Sequence, residues 1–144
     1  MARLKMIEYQ FASTVKNAYL KEIIDLYRYA SWWSEECDDT ELVLKIINGS
    51  HCFLLAIRND HVIGMGRAIS DRAHDAYIQD LTVHPEWRHR GIGHEIVNRL
   101  LDRLKRDEIR WIGLIAGRNT KTFYSPMGFD IMDNSTPMLL KNKS

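Results

Sequence analysis

Apolar positions recur along this chain with two different periods. Leu20, Ile23, Ile24 and Tyr27 share one face of a 3.6-residue repeat and predict a helix from about Tyr19 to Tyr29. A shorter helix fits Thr40 to Asn48, with Asp39 or Thr40 as its cap and Gly49 closing it. The strongest helical signal runs from Gly91 to Arg106. There Ile92, Ile96, Val97, Leu100, Leu101 and Leu104 make a continuous apolar stripe, with Glu95, Arg99, Asp102 and Arg103 off it. Strand-like runs lie between and around these helices. Met6 to Phe11 reads as a first strand, and His51 to Arg58 and His61 to Ser70 flank Asn59-Asp60, a pair suited to a tight hairpin turn. Asp75 to Val83 follows and is stopped by Pro85. Arg110 to Ala116, Phe129 to Met132 and Pro137 to Leu140 complete the strands, and Asn119 to Met127 reads as a short helix. A hairpin run first and crossover helices later make the class α+β.

No linker, low-complexity tract or repeat divides the sequence, so one domain over residues 1–144 is expected, with residues 1–5 as an extension outside it. Hydrophobic residues make up 45% and charged residues 27% of the 144, an ordinary globular balance. A net charge of +1 argues against a broad footprint for nucleic acid or an anionic membrane, so any anion site must be local. No apolar stretch is long enough to span a bilayer, and the start of the chain lacks a secretion signal. With Cys37 and Cys52 read as reduced thiols, the expected location is cytoplasmic.

Arg88-His89-Arg90-Gly91-Ile92-Gly93 sits between a predicted strand and the start of the long helix. Free N–H groups and the positive dipole end make a helix start attractive to anions, and glycine lets the backbone approach one. A basic turn that merely starts a helix would look the same, and these six residues leave both readings open. A dinucleotide fingerprint would need glycine where Ile96 stands, and the Gly-Lys-Ser/Thr of a P-loop is missing. His84, His89 and His94 recur every five residues, which matches no zinc spacing, so no metal is expected. Ser125 has neither a nucleophile elbow nor an evident His partner.

The stretch Ile78-Gln79-Asp80-Leu81-Thr82-Val83-His84-Pro85-Glu86-Trp87-Arg88-His89-Arg90-Gly91-Ile92-Gly93 resembles the acetyl-CoA-binding segment of the GNAT superfamily of N-acetyltransferases. Arg88, Gly91 and Gly93 match its Arg/Gln-x-x-Gly-x-Gly/Ala signature. Downstream, Phe123-Tyr124-Ser125-Pro126-Met127-Gly128-Phe129 is similar to the family's Phe-Tyr-x-x-x-Gly-Phe. Both motifs lie in the C-terminal half; the N-terminal half matches only in element order.

The resemblance implies a GNAT fold, a mixed central sheet of about six or seven strands flanked by about four helices. It implies acetyl-CoA as co-substrate, with its pyrophosphate on the backbone of Arg88, His89, Arg90, Gly91, Ile92, Gly93 and His94. Leu81, Thr82 and Val83 would pair with the pantetheine arm, on a strand that often carries a bulge. A backbone N–H near Leu81 would stabilise the oxyanion of the reaction. Tyr124 matches the general acid that protonates the departing thiolate. The family's pantetheine-binding Asn, seven residues before that Tyr, is Gly117 here; Asn119 lies nearby and would either replace it or cap the short helix.

The expected reaction is direct attack of a primary amine on the thioester. Tyr77 and Gln79 occupy the strand positions where some members place a Glu or His base. Neither is a strong base, which leaves a water chain or Asp80. The expected acceptor is a small-molecule amine, near Trp32, Trp33, Tyr77, Gln79 and Asp80. The segment from Ser31 to Asp39 combines aromatic faces with carboxylates that suit an organic cation, though core tryptophans beside solvated acids read equally well. Family members often dimerise, so a homodimer is compatible. The alternative to an enzyme is a catalytically silent acetyl-CoA-binding domain serving as sensor or scaffold.

Overall fold

The computed structural model describes residues 6–141, so the expected extension at 1–5 lies outside the described residues. In chain order the elements are β1 (Glu8–Phe11), α1 (Asn17–Tyr29), α2 (Thr40–Gly49), β2 (Cys52–Arg58), β3 (His61–Ser70), β4 (Asp75–Val83), α3 (Ile92–Arg106), β5 (Trp111–Leu114) and α4 (Lys121–Tyr124). Single 3₁₀ turns occupy Pro85–Trp87 and Ser125–Met127. The chain falls into two compact parts, one running to Leu114 and the other starting at Ile115.

In the first part the sheet order is β1-β2-β3-β4-β5. The first four strands are antiparallel, and β5 runs parallel to β4. Only a long crossover can join parallel neighbours, and α3 supplies it. The β2–β3 turn is a two-residue hairpin with Asn59 at φ 50° and Asp60 at φ 61°, the left-handed pair such a turn demands. Asp60 does a second job. Its carboxylate accepts hydrogen bonds from Lys16 Nζ and the Tyr19 hydroxyl, pinning the start of α1 to the turn. The start of α2 is capped by Asp39, whose carboxylate accepts from the Leu42 N–H at 3.0 Å. Gly49 is the last residue of that helix and Ser50 is its cap, one position beyond the expected stop.

Alternation along β2 puts apolar residues on both faces, and both faces are covered. Phe53, Leu55 and Ile57 join Val62 and Met65 of β3 against Ile23, Ile24, Tyr27, Val43 and Ile47 of α1 and α2. On the opposite face Ala56, Gly64 and Gly66 receive α3, whose Ile92, Ile96, Val97, Leu100, Leu101 and Leu104 are all buried. The far end of α3 is tied down by Asp107. This residue accepts from Arg103 Nε at 2.9 Å and pairs with His51 at 2.7 Å, and the other ring nitrogen of His51 meets Ser70 Oγ at 2.6 Å. The His51 and Arg103 contacts hold the Asp107 carboxyl below its usual range.

Five strands form among the described residues, against the expected six or seven. Phe129 to Met132 and Pro137 to Leu140 are irregular. A four-residue strand depends on a ladder partner, and residues 129–141 make no backbone–backbone hydrogen bond among the described residues. Pro137 also removes one donor. β5 is shorter than the expected Arg110 to Ala116, and the expected helix from Asn119 shrinks to α4 and the following 3₁₀ turn.

Gly66 is where α3 comes closest to the sheet. A Cβ there would lie 2.8 Å from Ile96 Cγ2 and 3.2 Å from Leu100 Cδ1, and a β-branched side chain on a helix has little freedom to yield. Gly66→Ala should therefore destabilise the protein by about 1–3 kcal/mol, seen as a lower denaturant midpoint at unchanged slope.

Candidate active site

The site grows from an irregularity in β4. Met65 of β3 pairs with Thr82 and Arg67 pairs with Gln79, so Gly66 alone faces both Asp80 and Leu81. That is a β-bulge, and Asp80 sits in it with φ at 57°. Aspartate is among the few L-residues that enter this left-handed region readily. On the other side of β4 the last ladder partner is Leu114 of β5, opposite Ile78. Beyond that point the outer edge of β4, from Gln79 to Val83, has no neighbouring strand among the described residues. A partly opened strand with unpaired backbone groups results.

Side chains hold the bulge in place. Asp80 Oδ2 accepts from Arg67 Nε at 2.6 Å and from the Tyr27 hydroxyl at 2.8 Å, and Arg67 Nη1 reaches Ser50 Oγ at 3.3 Å. The ion pair is shielded, with side chains 15% and 20% exposed. Burial first, and then the Asp80 charge, push the Tyr27 phenol far above its ordinary pKa. Tyr27 in turn stacks on Trp33 with ring centres 4.1 Å apart and planes 6° from parallel.

At its C-terminal end β4 runs into the basic loop. His84 Nδ1 accepts the Glu86 N–H at 3.1 Å, so that lone pair is committed to the 3₁₀ turn. Arg88 folds back and donates from Nε to the Val83 carbonyl at 3.1 Å. His89 (φ 63°) and Gly91 (φ 81°) both take left-handed backbone, which turns the chain sharply into α3. Gly91 occupies the N-cap position and no side chain caps the helix. Its carbonyl accepts from the Glu95 N–H at 3.1 Å, while the amides of Ile92 and Gly93 precede the first intrahelical donor. Nothing lies within 4 Å of where a Gly91 Cβ would be. Backbone conformation rather than packing therefore calls for glycine here, and the open space beside it leaves room for a phosphate group.

The second part of the chain holds the other motif. Asn119 has left-handed backbone (φ 62°) and is not the helix cap; Thr120 takes that position, with its hydroxyl donating to the Gly117 carbonyl at 2.7 Å. Tyr124 ends α4, half-buried and edge-on to Phe123 at 4.9 Å and to Phe129 at 6.0 Å. Burial raises its phenol pKa, so the group keeps its proton at neutral pH. Gly128, at φ 97°, then reverses the chain.

The residues expected around the acceptor divide. Trp33 is packed on the α1/α2 core through Tyr27, whereas Trp32 is half exposed, tilted against the same ring at 6.2 Å. Tyr77 leans edge-on against Trp111 at 5.1 Å, and Gln79 is exposed. Tyr27, which was not among the expected site residues, links two that were, stacking on Trp33 and donating its hydroxyl to Asp80. The sequence reading also missed Arg67, although a lone charge inside the apolar run of β3 is a visible signal. Removing it should leave the Asp80 carboxylate half-satisfied under α1. Arg67→Leu should cost about 1.5–3 kcal/mol of stability, measured by denaturant unfolding, with a smaller loss in an Asp80→Asn background because the two share one interaction.

Comparison with known proteins agrees with this geometry. The model of the acetyltransferase (GNAT) family matches residues 17–129. The chain is 30% identical over 122 residues to the uncharacterized N-acetyltransferase ycf52 of Pyropia yezoensis, covering 83% of this chain and 69% of that protein. A GNAT-family acetyltransferase from Streptococcus pneumoniae superposes with a TM-score of 0.77 at 27% identity, over 96% of this chain and all of that one. A predicted acetyltransferase solved with acetyl-CoA, from Clostridium acetobutylicum, shares the fold with a TM-score of 0.72 at 20% identity, over 93% and 96% of the two chains. With the bulged strand, the glycine-led helix and a match over most of its length, the chain belongs to the GNAT family of acetyltransferases.

Proposed function

We propose that this protein transfers the acetyl group of acetyl-CoA to a primary amine by direct attack on the thioester. The observation that carries the proposal is the continuity of β4 with α3: an unpaired, bulged strand edge leads straight into an uncapped helix start. A pantetheine arm offers amides for such an edge, and a pyrophosphate offers oxygens for such a helix end. The coenzyme supplies an activated acyl thioester. The protein supplies the rest.

The backbone from Arg88 to His94 holds the pyrophosphate, with Gly91 and Gly93 allowing close approach. Leu81, Thr82 and Val83 align the pantetheine arm, and a backbone N–H near Leu81 polarises the thioester carbonyl. Asn119 contributes a side-chain contact to the arm. Tyr124, protonated at neutral pH, delivers its proton to the departing sulfur. The attacking amine must itself lose a proton. Asp80 is committed to Arg67 and Tyr27, and the His84 Nδ1 lone pair to its own turn, which favours water as the acceptor of that proton. The amine approaches over the exposed face of Trp32, with Gln79 and Tyr77 along the strand and Trp33 and Asp80 supporting the wall behind.

Two substitutions test the halves of this reading. Gly91→Glu forces a side chain into a left-handed position and puts negative charge where the pyrophosphate belongs. Calorimetry should register no acetyl-CoA binding to a folded variant; unchanged affinity would remove the cradle from the account. Tyr124→Phe deletes one hydroxyl and leaves volume and coenzyme affinity intact. Its kcat should fall on the order of 10²–10⁴-fold, with a much smaller change in KM for acetyl-CoA. A Tyr124→Phe enzyme with full turnover would assign thiolate protonation to solvent. Coenzyme binding without turnover across an amine panel would instead favour the sensor.

A further inference from the structure

Four charged residues share one outward stripe of α3. Glu95, Arg99, Asp102 and Arg106 follow at helical spacing, away from the side that buries Ile96, Val97, Leu100 and Leu104. Arg99, Asp102 and Arg106 are exposed, and Glu95 is half-buried. The signs alternate along the stripe, acid then base, twice over. The same order would suit a ladder within one helix, each acid pairing with the base four residues on. Only half of that ladder closes. Arg99 Nε meets Glu95 Oε1 at 2.7 Å, whereas Asp102 and Arg106 hold no ion pair among the described residues. Arg103, beside the stripe, is committed to Asp107.

The stripe borders a groove of about 630 Å³ between α3 and β1, the edge strand of the sheet. Tyr9, Phe11 and Leu54 supply its apolar lining. Arg99 lies over the Tyr9 ring at 4.7 Å, and Arg103 lies over Phe11 at 4.9 Å. Guanidinium groups already braced on aromatic rings lose less freedom when a partner arrives.

We propose that this face of α3 pairs with the same face of a second copy of the chain, antiparallel about a two-fold axis. An axis crossing the helix at the level between Leu100 and Leu101 sets Glu95 level with the second copy's Arg106, and Arg99 level with the second copy's Asp102. The two-fold repeats both pairs, so every charge of the stripe meets its opposite. A parallel arrangement would set each charge against itself. The pattern therefore selects the closed, isologous dimer over other arrangements of the same helix. The outer pairs stand about 8 Å along the helix from the axis, within reach of long side chains at the crossing of about 20° common for antiparallel helices. Such a contact is small and polar, and a micromolar, salt-sensitive dimer is expected from it. It uses neither Gly91 nor the amides of Ile92 and Gly93, so it stands or falls independently of the coenzyme reading.

Sedimentation equilibrium on the wild type, Arg99→Asp, Asp102→Arg and an equimolar mixture of the two variants tests the pairing. Arg99→Asp sets acid against acid across the two-fold, and Asp102→Arg sets base against base. Each variant alone should dimerise at least about tenfold more weakly than the wild type. The mixture should recover the dimer, because each chain then meets its opposite. Both substituted residues are exposed, and melting temperatures check that the variants fold. If either does not, Glu95→Arg and Arg106→Glu repeat the exchange on the outer pairs. Salt at about 1 M, where the Debye length shrinks to about 3 Å, should weaken the wild-type dimer. A wild type that stays monomeric up to about 1 mM would return the stripe to solvent and overturn the proposal. A dimer indifferent to the single reversals, or a mixture that stays monomeric, would overturn it as well.

Discussion

A left-handed residue inside a β-strand costs on the order of 1–3 kcal/mol and persists only where its surroundings hold it. Asp80 is held by one carboxylate oxygen that answers Arg67 and Tyr27 together. Much follows from that contact. It keeps two residues of β4 opposite a single residue of β3, and it links the strand to α1. Because Tyr27 stacks on Trp33, the anchor continues into the segment that joins α1 to α2. The same charge that would make Asp80 an appealing base is thus the charge that shapes the strand.

The opposite face of the sheet solves a different problem. A long helix must lie close enough to the strands for its first turn to emerge at the end of β4. Small residues at Ala56, Gly64 and Gly66 allow that approach, and Ile92, Ile96 and Leu100 fill the space they leave. The stacked tryptophan side and the glycine side meet at the bulge, since Gly66 is both the floor for α3 and the residue facing Asp80 and Leu81. Packing and site geometry therefore share one residue, where a single methyl group would disturb both.

Periodicity revealed what packing enforces. The stripe from Ile92 to Leu104 and the strands from His61 to Ser70 and Asp75 to Val83 were legible because each buries a regular face. The Asn59-Asp60 turn was legible because its two residue types tolerate left-handed backbone. The short runs after Tyr124 were misread, since four apolar residues carry no information about whether a ladder partner exists. At the candidate site the glycine loop and the Phe-Tyr motif stood out as local patterns. The Arg67–Asp80–Tyr27 triad did not, because its members are 13 and 53 residues from Asp80 and only the fold brings them together. The proposed reaction's base was not legible either: the strand positions where the family resemblance would put one carry Tyr77 and Gln79.

The uncapped start of α3 has a thermodynamic meaning beyond recognition. Most helices finish their first turn with a side chain of their own, a contact typically worth about 1 kcal/mol. This one begins on Gly91 and leaves the task to whatever anion arrives. An anion bound there acts as a detachable cap, and by mass action a ligand at a hundred times its Kd would add about 2.7 kcal/mol to the folded state. If the anion is the co-substrate of the proposed reaction, resistance to heat or proteolysis would track its supply, a coupling of metabolic state to protein lifetime that requires no dedicated regulatory site.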